Sequence, residues 1–265
     1  MKPLISVSLP SLDPSAESIM RILKHSFGPD AVQVIVVGPK EPPILDHTSL
    51  WGVRWVEETE PRGIAAAHRV ALDYAEGQFI VAFADDHAFM PSWDLQAAEA
   101  FWVQETRCVA RPFCLGLRGA HSAHVGTEFG IYYPYFPMMR TVAAREIGWF
   151  SADYRSGFSD SDLAMRVWAA GGRCEWTDQG LLYPLPADKA KVVAPGHRPE
   201  ANYTDQDMAL FLARWAGRYG AGWDTSRIDG FNVDLRPEQN PQLVQHNSIH
   251  FNDAPGFFGR LQRMT

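Results

Sequence analysis

The sequence has few cysteines and no hydrophobic run long enough to cross a membrane. Three cysteines, Cys108, Cys114 and Cys174, occur among 265 residues, and their spacing matches no metal-binding cysteine motif. An odd number of cysteines cannot all pair within one chain, so we predict reduced thiols and a cytoplasmic protein. No apolar segment approaches the roughly 20 residues of a spanning helix, and we therefore expect no integral membrane segment.

Positive charge is also scarce. The chain has 24 Lys and Arg against 31 Asp and Glu, which gives a formal net charge of -7. Affinity for nucleic-acid backbones comes mostly from Lys and Arg that neutralise phosphates, so the composition argues against a general nucleic-acid binder. A nucleic-acid partner would need a local basic surface, for which Arg111, Arg118, Arg140 and Arg145 are the candidates.

The first half of the chain alternates between strand and helix patterns. Buried strands are predicted at residues 4–9, 32–37, 53–56 and 79–84. The clearest helix pattern covers residues 63–76, another begins near Trp93, and a further strand is predicted at 107–111. This alternation predicts an α/β fold with a Rossmann-like, mainly parallel sheet and flanking helices.

The second half is less regular. Residues 114–139 are rich in Gly, His, Tyr and Pro without a sustained period, which predicts loops over a cleft. Later segments predict helices at 141–147, 159–170 and 205–218 and a strand at 173–176. We therefore predict one domain over residues 1–222, in two halves of 1–112 and 113–222. We predict that an irregular C-terminal arm over 223–265 follows, with a lid and a homo-oligomer contact as its two alternative roles.

Metal-binding side chains follow the fourth predicted strand. The run Phe79-Ile-Val-Ala-Phe-Ala ends in Asp85-Asp86-His87, at the carboxyl edge of the sheet where open α/β folds bind ligands. Carboxylate and imidazole groups suit Mn²⁺ or Mg²⁺. Because side chains two apart on a strand share a face, Asp85 and His87 would point together unless the strand has already turned.

A second acidic motif, Gly157-Phe-Ser-Asp160-Ser-Asp162-Leu, lies at a predicted helix start. The helix dipole favours both acids in the first turn. Asp162 can cap the helix or pair with Arg166, which lies four residues further along.

Several pieces of the sequence, in this order and spacing, resemble family 2 glycosyltransferases with the A-type nucleotide-sugar-binding fold. The resemblance extends from residue 4 to about residue 216. The matching pieces are Ile5-Ser-Val-Ser-Leu-Pro10, Val34-Ile-Val-Val, Gly63-Ile-Ala-Ala-Ala-His68-Arg69, Gly77-Gln-Phe-Ile, Ala84-Asp85-Asp86-His87, Gly148-Trp149-Phe150, the Gly157 motif, Arg166 and Gly171-Gly172.

The resemblance implies a nucleotide-sugar donor and a glycan or other hydroxyl acceptor. It makes residues 1–112 the donor half and 113–222 the acceptor half. A Mn²⁺ or Mg²⁺ ion would neutralise the diphosphate leaving group. Asp86 is a ligand if it ends the family's DxD motif, and His87 is a ligand if the triplet is DxH; both registers stay open.

The resemblance also assigns roles to other residues. Asp160 matches the general base of inverting members. Donor-binding residues would be Pro10, Ser11, Arg69 and Asp85, with Asp85 near the ribose. Tyr183 falls where many members have a histidine, so His197, in the loop Ala194-Pro-Gly-His197-Arg198, is the candidate third metal ligand.

Departures from the family pattern leave a second function open. The second strand normally ends in an acidic pair but here reads Val37-Gly38-Pro39-Lys40, with Glu41 or Glu57 as possible substitutes. A catalytically inactive protein that binds nucleotide-sugars or glycans is therefore the alternative to an enzyme. Nucleotidyl transfer is disfavoured because the loop after the first strand, Pro10-Ser-Leu-Asp-Pro14, has neither glycine nor a basic residue.

Some residues have two interpretations at this stage. His68 and Arg69 either touch the diphosphate or lie on a solvated helix face. Trp149 either floors the acceptor site or fills the core. Aromatic side chains at Tyr132, Tyr133, Tyr135 and Phe136, with His121 and His124 nearby, fit stacking against sugar rings or plain packing equally well.

Overall fold

The computed structural model describes residues 2–28, 31–41, 52–108, 110–119, 127–129, 131–185 and 204–219. The first half contains β1 (Ile5–Pro10), α1 (Ala16–Lys24), β2 (Val32–Gly38), β3 (Val53–Glu57), α2 (Ile64–Asp73), β4 (Phe79–Ala82), β5 (His87–Phe89) and α3 (Trp93–Arg107). The second half contains β6 (Phe113–Gly119), β7 (Thr127–Glu128), β8 (Ile131–Tyr132), β9 (Pro137–Arg140), α4 (Thr141–Ile147), α5 (Ser159–Ala169), β10 (Arg173–Pro184) and α6 (Thr204–Tyr219).

Eight strands form one sheet in the order β3-β2-β1-β4-β9-β6-β10-β5, and β7 and β8 form a small separate hairpin. The first four strands are parallel, which confirms the predicted Rossmann-like half. β9 runs antiparallel to both β4 and β6, β10 is parallel to β6, and β5 is antiparallel to β10. The whole sheet is therefore mixed.

Two predictions for the middle of the chain are wrong. Among the described residues of 107–111 none is in a strand, because α3 continues to Arg107 and the next strand begins at Phe113. The segment 114–139, predicted as loops, supplies most of β6 and nearly all of β9, which lie in the interior of the sheet. Tertiary pairing overrides the weak local preference of this segment for strand.

The sheet is curled. β5 is four places from β4 in the strand order, or about 19 Å across a flat sheet, yet the chain from Ala82 to His87 can span at most roughly 18 Å. The rings of Phe83 and Phe89, on either side of the turn, stack with centroids 4.0 Å apart. The curl brings the β10–β5 end of the sheet towards the end of β4.

Apolar side chains pack on both faces of the sheet. On one face, strand residues such as Val7, Phe79 and Leu115 pack with α1 and α3. On the other face, α2, α4, α5 and Phe211 of α6 cover residues such as Ile35 and Ile80. Three layers result, and the core lies between sheet and helices on each side.

Several single-residue questions are settled by this packing. Trp149 is fully buried in the core between the sheet and helices α2, α4 and α5, so the core interpretation holds. Cys108, Cys114 and Cys174 are all buried and free. None of the helices in the described ranges is both long and apolar enough to pass through a membrane.

The four arginines proposed as a basic surface have partners within the fold. Arg111 and Arg140 both pair with the buried carboxylate of Glu105, at 3.7 and 2.6 Å. Arg145 donates to the backbone carbonyls of Leu72 and Ala75, and Arg118 donates to that of Asp178. These contacts give the arginines structural roles.

Candidate functional site

The carboxyl ends of β1 and β4 bring three predicted donor residues together. Ser11 follows Pro10 at the end of β1, and its hydroxyl donates to Oδ2 of Asp85 at 2.8 Å. β2 ends beside Ser11 at Gly38, where a Cβ atom would collide with the Ser11 carbonyl oxygen. This close approach requires glycine at a strand end where the family pattern has an acid.

Asp86 and His87 form a hydrogen-bonded pair at the end of the β4–β5 turn. Oδ1 of Asp86 lies 2.6 Å from Nδ1 of His87, and the side chains are 56% and 25% exposed. β4 already ends at Ala82, so the strand has turned before Asp85, and Asp85 and His87 have different partners. Since a carboxylate only accepts, Nδ1 is the donor in this bond, and in the tautomer that the bond favours the lone pair is on Nε2.

The far end of the sheet holds this turn in place. β5 pairs with the end of β10, where Tyr183 lies opposite Ala88, and the backbone N–H of Leu185 donates to the carbonyl of Asp86 at 2.9 Å. Tyr183, at the position where a third ligand was expected, is thus part of this strand pair.

One cleft of about 220 Å³ joins the two acidic motifs. Asp86 and His87 line this cleft together with Asp160, which is more than 70 residues away in sequence. Ser156, Gly157, Phe158, Ser159 and Ser161 also line the cleft, together with Ile64, His68, Ala82, Phe83, Ala84, Tyr133, Tyr135, Phe136 and Phe150. The structure therefore brings together the residues predicted from separate motifs.

Asp160 is positioned by the start of α5. Phe158 precedes the helix with a φ of 58°, and Asp160 accepts from the Ser161 backbone N–H at 2.9 Å. Burial raises the pKa of Asp160 from its ordinary 3.8 to about 6. A carboxylate with this pKa binds a proton more readily than an exposed one does, as a general base requires.

His68 and Arg69 are neighbours on α2 with different surroundings. His68 is buried at 4% exposure, stacks on Phe150 with centroids 4.6 Å apart, and lies 2.7 Å from the Ser8 hydroxyl through Nδ1. Burial lowers its pKa to about 3, so the ring is neutral. The Arg69 side chain is 44% exposed and pairs with Asp73 at 3.1 Å, outside the cleft lining. The solvated-face interpretation is thus wrong for His68 and fits Arg69.

Asp162 has a structural role. Its buried carboxylate accepts from Arg166 Nε at 2.8 Å, which confirms the predicted pair, and from Trp215 Nε1 at 2.9 Å and the Tyr154 hydroxyl at 3.1 Å. These contacts tie α5 to α6.

Aromatic residues form much of the remaining wall. Tyr133, Tyr135 and Phe136 of the predicted cluster line the cleft. Burial, together with the nearby negative charge of Asp160, raises the pKa of the Tyr133 hydroxyl well above its ordinary value. Phe150 and Phe158 also line the cleft and were not predicted as site residues, although each adjoins a motif that was.

The described cleft does not include every predicted residue. His197, His121 and His124 lie outside the described residues. Glu41 and Glu57 are exposed near the ends of β2 and β3 and do not line the cleft. Within the described ranges, no three His, Cys, Asp or Glu side chains come together as a metal site.

Comparison with solved structures shows that the chain has the A-type glycosyltransferase fold. S. aureus TarS 1–349 in complex with UDP-GlcNAc matches with a TM-score of 0.52 and 16% identity, over 100% of this chain and 84% of that one. The mannosyltransferase PcManGT from Pyrobaculum calidifontis, in complex with GDP-Man and Mn²⁺, matches with a TM-score of 0.56 and 16% identity, over 99% and 79%.

GalNAc-T7 with UDP, GalNAc and Mn²⁺ matches with a TM-score of 0.64 and 11% identity, over 94% of this chain and 55% of that one. No protein-family model matches the sequence, and no curated protein matches it. At these identities the likeness establishes the fold, and membership of family 2 stays a prediction.

Proposed function

We propose that this protein is a metal-dependent glycosyltransferase that moves a sugar from a nucleotide-sugar donor to a hydroxyl acceptor. The observation that carries the proposal is that Asp86, His87 and Asp160 line one cleft of an A-type fold. Donor and acceptor chemistry need these groups on two sides of the same reacting sugar.

The donor side fits a divalent ion. Asp86 offers carboxylate oxygens and His87 an Nε2 lone pair, a ligand set that suits Mn²⁺ and, through the oxygens, Mg²⁺. An ion bound there would neutralise the negative charge on the departing diphosphate. His197 remains our candidate third ligand. Ser11 and Asp85 would orient the nucleoside, and Pro10 would shape its site.

On the acceptor side, Asp160 would take the proton from the attacking hydroxyl. Attack from the face opposite the diphosphate inverts the anomeric centre, and we propose an inverting enzyme that acts on a hexose or related sugar. The aromatic wall of Tyr133, Tyr135 and Phe158 suits a glycan acceptor, since such planes pack against sugar rings.

A panel of nucleotide-sugars, scored by thermal shift with and without Mn²⁺, tests the donor proposal. We expect one donor to raise the melting temperature only with Mn²⁺, because a ligand that binds the native state stabilises it. The double variant Asp86→Ala, His87→Ala should lose this shift and nucleoside diphosphate release. Glu17→Ala, an exposed acid on α1, is the matched control and should keep both.

Asp160→Asn separates binding from catalysis. It should keep the Mn²⁺-dependent shift and lose diphosphate release, since the amide cannot accept the proton. Full release by Asp160→Asn would contradict the assignment of the base.

The alternative, a catalytically inactive binding protein, has one observation in its favour. β2 ends in Gly38 without the acidic pair that the family pattern has at this strand end. A Mn²⁺-dependent shift with a donor but no diphosphate release from any donor would support this alternative.

The proposal also includes a cellular setting. Three buried, free cysteines suit a reducing cytoplasmic compartment. The arm at 223–265, which lies outside the described residues, remains our candidate for a homo-oligomer contact. Light scattering on the full chain and on a chain shortened after residue 222 tests that role.

A further inference from the structure

A buried carboxylate on α6 holds the segment that leads to Asp160. Asp207 is 3% exposed and accepts from the backbone N–H groups of Arg155 at 3.1 Å, Ser156 at 2.7 Å and Gly157 at 2.9 Å. The Ser156 hydroxyl adds a fourth contact at 3.2 Å. Three successive N–H groups that converge on one anion form a nest, an arrangement that proteins use to bind anions.

This arrangement is more than an acid in the first turn of a helix. Asp205 lies two residues earlier in the same turn and is exposed. Asp207 instead directs its carboxylate to a segment 50 residues away in sequence, and its burial is compensated by four hydrogen bonds.

The opposite side of the segment is held by α2. The N–H of Ile64 donates to the carbonyl of Arg155 at 3.2 Å. Gly63 has a φ of 109°, and a Cβ atom there would collide with the Arg155 backbone. The segment is therefore fixed between α2 and α6.

The held segment continues directly into the cleft wall. Ser156, Gly157 and Phe158 line the cleft, and Asp160 follows within the first turn of α5. A shift of the 155–157 backbone would move the Phe158 turn and with it the Asp160 carboxylate.

We propose that Asp207 is a positioning residue, which sets the place of Asp160 through the nest at 155–157. This inference rests on the proposed function, because it concerns the base of that reaction. A base must be held close to its reacting geometry, and a displacement of about 1 Å can cost a hundredfold in rate.

The test replaces Asp207 and then restores an anion. Asp207→Ala leaves a cavity of carboxylate size facing three N–H groups, which formate can fill. With the donor chosen by the panel and Mn²⁺, kcat for diphosphate release should fall about 10- to 100-fold while the donor KM is unchanged. Added formate should restore kcat in Asp207→Ala and have no effect on the wild type.

Two variants serve as controls. Asp205→Ala removes a carboxylate from the same turn and should keep full kcat. Asp207→Asn keeps the volume but presents an NH₂ group to the nest, so it should lose kcat and resist formate. If Asp207→Ala does not fold, Asp207→Asn carries the kcat and KM comparison.

Amide NMR gives a readout that needs no activity. The Ser156 and Gly157 amide resonances should move in Asp207→Ala and return with formate. Unchanged resonances would show that Asp207 does not hold the 155–157 segment. Shifted resonances with unchanged kcat would overturn the positioning role. If the wild type releases no diphosphate from any donor, the proposed function fails and the positioning role falls with it. The amide response would still report whether Asp207 holds the segment.

Discussion

Asp160 and His68 show how one environment has opposite effects on an acid and a base. Both line the cleft, and burial disfavours the charged form of each. It raises the pKa of Asp160 to about 6 and lowers that of His68 to about 3. Near neutral pH the cleft thus contains an uncharged imidazole and a carboxylate whose pKa lies close to the ambient pH.

The raised pKa of Asp160 predicts a pH-dependent effect of Asp160→Asn on stability. Between 3.8 and about 6 the folded carboxyl binds protons more tightly than the unfolded one, so stability falls as pH rises through this window. Asparagine removes that penalty. Relative to wild type, the variant should gain up to about 3 kcal/mol at pH 8 compared with pH 4. Urea denaturation at both pH values measures the difference, and an equal effect at both would contradict it.

The lowered pKa of His68 predicts the opposite sign. Between about 3 and 6.5 the unfolded ring binds protons more tightly, so the ring's contribution to stability is complete above 6.5 and is lost as pH falls through this window. His68→Asn stays uncharged, and its amide can still bond to Ser8. Any destabilisation relative to wild type should therefore shrink from pH 7 to pH 5. Denaturation curves that stay a constant distance apart would contradict this.

The strands differ from one another in how well the sequence predicted them. β4 is a continuous apolar run, and β1 and β2 are rich in Val, Ile and Leu with only Ser6, Ser8 and Gln33 as polar residues, so their prediction from pattern alone succeeded. β6 includes Gly116 and Gly119, and β9 begins with Pro137, residue types that are depleted in strands. Both become strands because they pair with each other and with the parallel half, and local sequence does not report such long-range pairing.

The same limit applies to the site. Asp86, His87 and Asp160 could be predicted because each follows a recognisable strand or helix start. The burial of His68 depends on Phe150 stacking against it, and the nest depends on Asp207 reaching across from α6. These contacts join distant segments, so only the fold reveals them.

The packing of α6 against α5 depends on one buried carboxylate, Asp162. Asp162→Ala would remove the buried carboxylate that accepts from Arg166, Trp215 and Tyr154. We expect a loss of about 3–5 kcal/mol in the free energy of unfolding. Asp153→Ala removes an exposed partner of Arg214 and should cost less than about 1 kcal/mol. Urea denaturation compares the two, and equal losses would rule out this role for Asp162.

At the scale of the whole molecule, the two halves predicted at residues 1–112 and 113–222 share one sheet. β9 of the second half lies between β4 of the first half and β6, and β5 of the first half closes the far edge against β10. The Asp86 turn therefore depends on strands from both halves. Each half supplies groups to the cleft, and neither has a complete sheet of its own.

This shared sheet predicts that residues 1–112 will not fold alone. The fragment would expose the β4 edge where β9 pairs, and the buried Glu105 carboxylate would lose Arg140, its partner at 2.6 Å. The Gly77 carbonyl would likewise lose the Thr141 hydroxyl at 2.6 Å. An open strand edge and an uncovered core favour aggregation over folding. Circular dichroism should show that the fragment is disordered or aggregated. Residues 1–222 should instead unfold in one transition, with the same midpoint by circular dichroism and by tryptophan fluorescence. A monomeric fragment with cooperative unfolding would show that residues 1–112 need no strand from the second half.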